Sequence, residues 1–374
     1  MLVQTRPKVN KANYLPLKVY GSKISYFTGK LENYLRYKKI PYEHIPLNDL
    51  KIRAEIYKKV GVIQLPNVKL ANGIWMTDTT PMIQWFEREF PDGQVIPGDP
   101  EQAFFSLLLE DYADEWLWRP AMHYRWHYKQ DAFALSRFIV DELLGPIPLP
   151  KWMKRVIIRT RQRKGFTVGD GIHKGNIQGI ESIYINILKN LEAIFEKRPF
   201  LLGEKPSLAD IGFSGSMFRH FGIDPTASAI MRETAPAVYE WTARLWNARY
   251  SEMEGSWLMG IPDDWGPILD DIGSAYLPYL CANVDAWKSR NKRFDAVIDG
   301  VTYKKARTSH YRVWCLETLQ KRFKNLPEEV KSKVQSRLEL HHCWEPLWHH
   351  QKLVSDLERD NIPAFSAGTN VLGV

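Results

Sequence analysis

From Leu17 to about Phe90, short apolar runs alternate with amphipathic stretches. The pattern predicts a strand over 17–20, a helix over 28–39, a strand over 42–46 and a helical or irregular stretch over 50–59. A strand over 67–70, a turn at Asn72-Gly73, a strand over 74–76 and a helix over 79–89 follow. Asn-Gly between two short apolar runs is a hairpin signal, and the alternation as a whole indicates a small α/β layer. Pro91, Gly93, Pro97, Gly98 and Pro100 then make a breaker-rich linker. Beyond it the pattern turns helical, with segments near 101–130, 131–144, 151–162, 174–196, 208–221 and 235–250. Phe105, Leu108, Leu109, Tyr112 and Trp116 recur at the helical period, and Ser207-Leu208-Ala209-Asp210 resembles a capping box with Asp in place of Glu or Gln. After about residue 260 the texture changes again: a helix over 268–288, a hairpin at 297–303, and helices near 309–324 and 327–342. The chain thus divides into an arm (1–16), an α/β unit (17–92), an all-helical unit (100–258) and a mostly helical extension with a small hairpin (260–374).

A length of 374 residues fits two or three domains, and 44% hydrophobic with 25% charged residues describes an ordinary globular chain. The aromatic share of 13%, with 14 Trp, suggests aromatic-lined cavities or thick helix interfaces. Part of the net charge of +8 is concentrated from Lys151 to Lys164, where no acid intervenes. Trp152, Met153, Val156, Ile157 and Ile158 interleave with these cations to give a basic amphipathic helix. Such a helix meets an anionic membrane surface, nucleic acid or an acidic ligand, or is simply solvated over an apolar underside. No groove-reading or base-stacking motif accompanies it, so no nucleic-acid partner is expected. Cys281, Cys315 and Cys343 show no CxxC spacing and are odd in number, which argues for a reducing compartment. No apolar run is long enough to span a bilayer and the first residues lack a signal-peptide core, so a cytoplasmic protein is expected.

Three short signals carry the candidate chemistry. The first is the hydroxyl-rich turn after the first strand, where the opening of the helix that follows stands beside Ser25, Tyr26 and Thr28. A helix start offers free N–H groups and the positive end of its dipole, which bind anions and favour a thiolate over a thiol. The second is Gln64-Leu65-Pro66, a proline opening a strand. The third is Asp78-Thr79, opening a helix. Each has an ordinary alternative, as an N-cap, an edge-strand proline and a helix start. In this order and spacing, and with Phe200-Leu201-Leu202-Gly203-Glu204-Lys205-Pro206-Ser207-Leu208-Ala209-Asp210-Ile211 further on, the chain resembles the glutathione transferase superfamily over roughly residues 17–250.

The resemblance implies a thioredoxin-like N-terminal domain followed by a helical-bundle domain, an α/β plus all-α architecture. Ser25 would hydrogen-bond the sulfur of glutathione, with Tyr26, Tyr20 and Thr28 as alternatives for that role. The backbone of Leu65, before a cis Pro66, would pair with the tripeptide, and Gln64 could add a side-chain contact. Asp78 and Thr79 would hold the γ-glutamyl end. No Cys stands at this position, so exchange through an enzyme cysteine is not expected. The second substrate, a small hydrophobic electrophile, would lie against Tyr112, Glu115, Trp116, Met122, His123, Arg125 and Trp126. The resemblance implies a glutathione transferase that acts as a homodimer; the alternative is a non-catalytic binding or assembly protein on the same fold. His341-His342-Cys343 and His349-His350 have the chemistry for zinc, but adjacent helical histidines diverge and no second Cys is near, so a packed aromatic surface and no metal are expected.

Overall fold

The computed structural model describes residues 13–357. Most of the expected N-terminal arm, 1–12, and the end of the extension, 358–374, lie outside the described residues. Strand β1 (Leu17–Gly21), helix α1 (Tyr26–Tyr37), β2 (Tyr42–Pro46), α2 (Leu50–Val60), β3 (Asn67–Lys69), β4 (Trp75–Thr77) and α3 (Thr79–Glu89) form the first layer. The sheet order is β2-β1-β3-β4, with β1 parallel to β2 and antiparallel to β3, and β3 antiparallel to β4. This is a thioredoxin-like layer. Alternation sorts its faces: Leu17, Val19, Val68 and Met76 join the main core, while Tyr20 and Trp75 pack with Leu47, Ile56 and Val60 of the α2 side.

The helical layer comprises α4 (Pro100–Glu115), α5 (Trp118–His127), α6 (Lys129–Leu143), α7 (Lys151–Gln162), α8 (Ile177–Phe195), α9 (Leu208–Ser216), α10 (Pro225–Thr234) and α11 (Pro236–Asn247). The single helix expected over 101–130 is therefore broken. Pro120 has no N–H to return to Trp116, whose carbonyl instead accepts from Arg119 at 3.3 Å. Helix α10 was not foreseen; Pro225 opens it directly after Asp224. Helix α9 is central. Asp210 accepts from the Ser207 N–H and hydroxyl, both at 2.9 Å, completing the capping box, and its other oxygen accepts from Leu201 N–H at 2.9 Å and the Trp241 indole at 3.2 Å. Close approach explains its glycines: a Cβ on Gly212 would stand 2.7 Å from the Glu110 Cα of α4, and one on Gly215 2.6 Å from the Tyr26 ring of α1.

Where one helix over 268–288 is predicted, α12 (Gly266–Asp271), a π turn (Ile272–Tyr276) and α13 (Leu277–Lys288) are found. The hairpin is longer than its sequence signal, β5 (Arg293–Ile298) pairing with β6 (Val301–Arg307), and α14 (His310–Lys324), α15 (Glu328–Leu340) and the short α16 (Trp344–Trp348) follow. This extension is not appended at arm's length. Helices α14 and α15 pack on α4, and one continuous apolar core runs from Leu17 to Leu353. Polar links seal the contact: Tyr276 donates to Asp111 at 2.6 Å, Tyr112 donates to Asp271, and Gln102 donates to the Gly260 carbonyl at 2.8 Å. Arg312 of α14 is 3.1 Å from Glu115 and 3.6 Å from Asp170.

The two layers are joined by a buried ion cluster. Lys30 of α1 bonds both Glu110 and Asp114 of α4, and Thr80 of α3 donates to Glu110 at 2.7 Å. Burial opposes the Lys30 charge, yet Asp114 and Glu110 hold its pKa above the ordinary lysine value. Burial pushes Asp114 well up; the Lys30 ammonium pulls it down, and Glu110 beside it pushes it up again. The three cysteines are free and buried, and burial raises all of their thiol pKa values, those of Cys281 and Cys343 to about 12. Cys281 points its thiol at the Pro346 carbonyl and Cys343 at that of Leu269.

Two predictions follow from these buried charges. Lys30→Met leaves two carboxylates uncompensated and is expected to lower unfolding free energy by about 3 kcal/mol, read by urea denaturation. Burial raises Asp111 from 3.8 to about 7, with the Tyr276 hydrogen bond opposing, and raises Asp271 to about 6. The folded chain thus keeps protons that the unfolded chain has lost, so stability falls as pH rises from about 4 to about 7. Asp111→Asn should flatten that slope in a series of thermal melts.

Candidate functional site

A cavity of about 860 Å³ opens between the layers. Ser25, Gln64, Leu65, Pro66, Asp78 and Thr79 all line it, although they come from three separate element ends. Ser25 is the N-cap of α1: its backbone is extended and its oxygen accepts the Thr28 N–H at 3.4 Å, which leaves the hydroxyl proton uncommitted by that contact. The Leu65–Pro66 bond is cis. Asp78 precedes α3 with φ 73° and ψ 113°, a conformation that an L-residue adopts at a cost of about 1–3 kcal/mol. Its carbonyl accepts the Met82 N–H at 3.2 Å, and its Oδ1 accepts the Tyr311 hydroxyl at 3.3 Å. Thr79 is buried at the first position of α3. Two helix N-termini, each the positive end of its helix dipole, therefore border one space.

The other hydroxyls considered for the Ser25 position stand differently. Tyr20 packs against Trp75 at 5.1 Å with the rings tilted by 33°, in the α2-side cluster, and does not border the cavity. Thr28 is fully buried, its oxygen accepting the Ser22 N–H. Tyr26 presents its ring to the cavity, but its hydroxyl donates to the Ala113 carbonyl. Burial and the nearby Asp114 push its pKa well up, so a phenolate there is disfavoured.

Of the seven residues expected on the opposite wall, Glu115, Met122, Arg125 and Trp126 line the cavity. Tyr112, Trp116 and His123 do not, and that expectation is corrected. Tyr112 turns to Asp271, and Trp116 packs against Tyr276, Tyr279 and Tyr303 of the extension. His123 bonds Glu181 at 2.9 Å and stacks on His127 at 4.6 Å; burial lowers its pKa, against the Glu181 hydrogen bond. Arg125 is committed as well. It makes a bidentate pair with Asp224 and donates to the Ile24 carbonyl at 2.7 Å, so it braces the residue before Ser25. Burial raises Asp224 to about 6, with Arg125 opposing.

Several cavity residues had no signal in the sequence. Phe27 and Trp118 stack at 5.6 Å with an interplanar angle of 20°, and Phe166 meets Trp118 edge-on at 5.7 Å, giving an aromatic wall. His220, presented by a π turn (Met217–Phe221), is neutral: burial and the Arg125 charge lower its pKa well below the usual value. Asp114 lines the cavity with Oδ1 accepting no hydrogen bond among the described residues. The extension contributes Arg307, Ser309, Tyr311 and Arg312. One hint existed for the charges: Lys30 recurs with Tyr26, Tyr34 and Tyr37 on the apolar stripe of α1, where a cation requires a buried counter-charge.

The histidine-rich stretch near the C-terminus separates into packing and surface. Trp344 and Trp348 meet Phe323 at 5.0 and 5.7 Å, and His341 bonds Asp270 at 2.7 Å. Asp285, His349 and His350 bring one ligand atom each within 4.8 Å of one another, but the Lys288 ammonium lies 3.1 Å from His350 Nδ1 and opposes a further cation. Among the described residues no helix is long and apolar enough to cross a membrane.

Among solved structures, the beta-etherase LigF from a Sphingobium strain is 20% identical, covering 61% of this chain and 94% of its own, with a TM-score of 0.41. A glutathione S-transferase from Methylobacterium radiotolerans, in complex with glutathione sulfonate, is 17% identical over 61% of this chain and 89% of its own, with a TM-score of 0.37. FzlA from C. crescentus is 14% identical over 62% and 88%, with a TM-score of 0.42. No curated protein matches the chain. Residues 19–94 match the model of the glutathione S-transferase N-terminal domain, and residues 185–248 match that of its C-terminal domain. With both domain models matched in order, the chain belongs to the glutathione S-transferase superfamily.

Proposed function

We propose that this chain is a glutathione transferase-like enzyme that binds glutathione beside α1 and α3 and activates its thiol. The observation that carries the reading is the convergence of Ser25, Leu65–Pro66 and Asp78-Thr79 on one cavity. In this reading the Ser25 hydroxyl donates to the sulfur, and the α1 N-terminus adds positive potential, so the bound thiol ionises more readily. The Leu65 backbone pairs with the cysteinyl unit in the manner of an added strand. Thr79 and the start of α3 receive the γ-glutamyl carboxylate, and Asp78 receives its ammonium. The thiolate then attacks an electrophilic carbon held against Phe27, Trp118, Met122, Trp126 and Phe166; the carbon–leaving-group bond breaks as the sulfur–carbon bond forms. A homodimer and a cytoplasmic site of action belong to the same reading, the latter supported by three unpaired thiols.

One observation favours a second reading. Tyr311 already donates to Asp78, the group assigned to the ammonium, as it would in a scaffold that has given up the ligand. Thermal melts with millimolar glutathione separate the two: a rise in midpoint supports the enzyme, and an unchanged midpoint supports a binding or assembly protein.

Ser25→Ala is expected to keep glutathione affinity within about threefold and to move the pH–rate profile of the bound thiol up by about one unit. Its turnover with an aryl halide electrophile at neutral pH should fall about tenfold. Unchanged turnover and profile would remove Ser25 from the role. Asp78→Asn should instead weaken glutathione binding about tenfold, measured by titration calorimetry.

A further inference from the structure

Helix α7 does not show the arrangement of a solvated basic face above an apolar underside. Its buried positions are Lys154 and Ile158, and Lys154 donates inward to the Gly145 carbonyl at 3.1 Å. Trp152 is instead 67% exposed, and Val156 and Ile157 are exposed beside it. The neighbouring α6 does the same with Phe133 and Phe138, 52% and 53% exposed. A folded chain rarely leaves so many large apolar groups together in water without a partner for them.

The cations are placed among these groups. Trp152, Val156, Arg159 and Arg163 recur at i, i+4, i+7 and i+11, one stripe down the helix. The Arg155 guanidinium lies 5.7 Å from the Phe133 ring, joining the two helices across the face. Between them runs an open groove of about 670 Å³, with Lys129, Arg159 and Arg163 around a floor of Ala132, Phe133 and Val156. Acids are turned away or occupied: Asp131 bonds Thr226, Glu142 bonds Ser22, and Asp141 pairs with Lys151 at 3.2 Å.

We propose that the α6–α7 face docks on an anionic phospholipid bilayer. Arginine and lysine meet the phosphates and carboxylates of the headgroups, while Trp152, Phe133 and Phe138 enter the interfacial layer. The composition selects this occupant. A strand of nucleic acid would use the cations and the flat rings, but it gains nothing from Val156 and Leu149, which hydrocarbon does solvate. An acidic protein would meet the charge but would have to supply a matching apolar patch. Ile157, Ile158, Arg161 and Gln162 of the same helix also line the central cavity, so the lipid-facing helix is itself a cavity wall. The inference rests on the α6–α7 surface alone and is independent of the thiol chemistry.

The test is co-sedimentation of the full chain with vesicles of phosphatidylcholine containing about 30 mol% phosphatidylserine, against pure phosphatidylcholine. Binding to the anionic vesicles at low salt, release at about 0.5 M salt, and little binding to the neutral ones are expected. The double variant Arg155→Glu/Arg159→Glu should lose at least about tenfold in affinity, and Trp152→Ser should lose about tenfold with the salt dependence intact. Matching thermal midpoints for the variants and the wild type show that each remains folded. No binding at low salt overturns the proposal, as does binding that the charge-reversed variant retains. Capture of an oligonucleotide in place of vesicles, by a surface that the same variants abolish, overturns it too.

Discussion

The buried ammonium of Lys30 is the constraint on which the cavity depends. It sits one turn into α1 with the Ser25 cap behind it, and it holds Glu110 and Asp114 of α4. Thr80 joins the same carboxylate and brings the start of α3 into the cluster. Three elements are thus registered by one dry set of charges, where a small slip would expose an unpaired ion to a low dielectric. The close passage of α9, permitted by Gly212 and Gly215, presses α1 and α4 onto the same line. Both helix beginnings at the cavity inherit their separation from this arrangement.

The residues after 260 add their own side chains to the cleft between the two layers. Helix α14 brings Tyr311 to Asp78 and Arg312 to Glu115 and Asp170, and all of these border the cavity. Burial opposes the Arg312 charge, but Asp170 and Glu115 raise its pKa and keep it protonated. The extension shares the apolar core with both layers, so these side chains are carried by elements packed on the same core.

What was legible in the sequence was local. Strand 42–46 and helices 79–89 and 151–162 have the predicted bounds, helped by prolines at their ends: Pro41 and Pro46 at the strand, Pro91 after α3 and Pro150 before α7. The break after Glu115 and the π turns escaped because the period of apolar residues continues through them, and α10 escaped because the Gly222 and Asp224-Pro225 that precede and open it are also turn signals. At the cavity, Ser25, Leu65–Pro66 and Asp78-Thr79 were readable because each occupies an element end, and element ends carry their own signals. Tyr112, Trp116 and His123 were misplaced for the converse reason. Periodicity identifies an apolar face without saying what it meets, and α4 is buried nearly all round, with the extension on the side that short patterns cannot reveal. Asp114, His220, Tyr311 and Arg312 depend on contacts between distant segments, which no window of sequence displays.

The seclusion of the three thiols has a consequence for durability. Cys281, Cys315 and Cys343 are buried, and burial together with a nearby carboxylate at each (Asp285, Asp111 and Asp270) raises their pKa values and favours the protonated thiol. A thiol in that state is a poor nucleophile toward peroxides and low-molecular-weight disulfides. The folded chain therefore presents no ready thiolate to oxidised small thiols, and capping of these side chains would first require the fold to open around them.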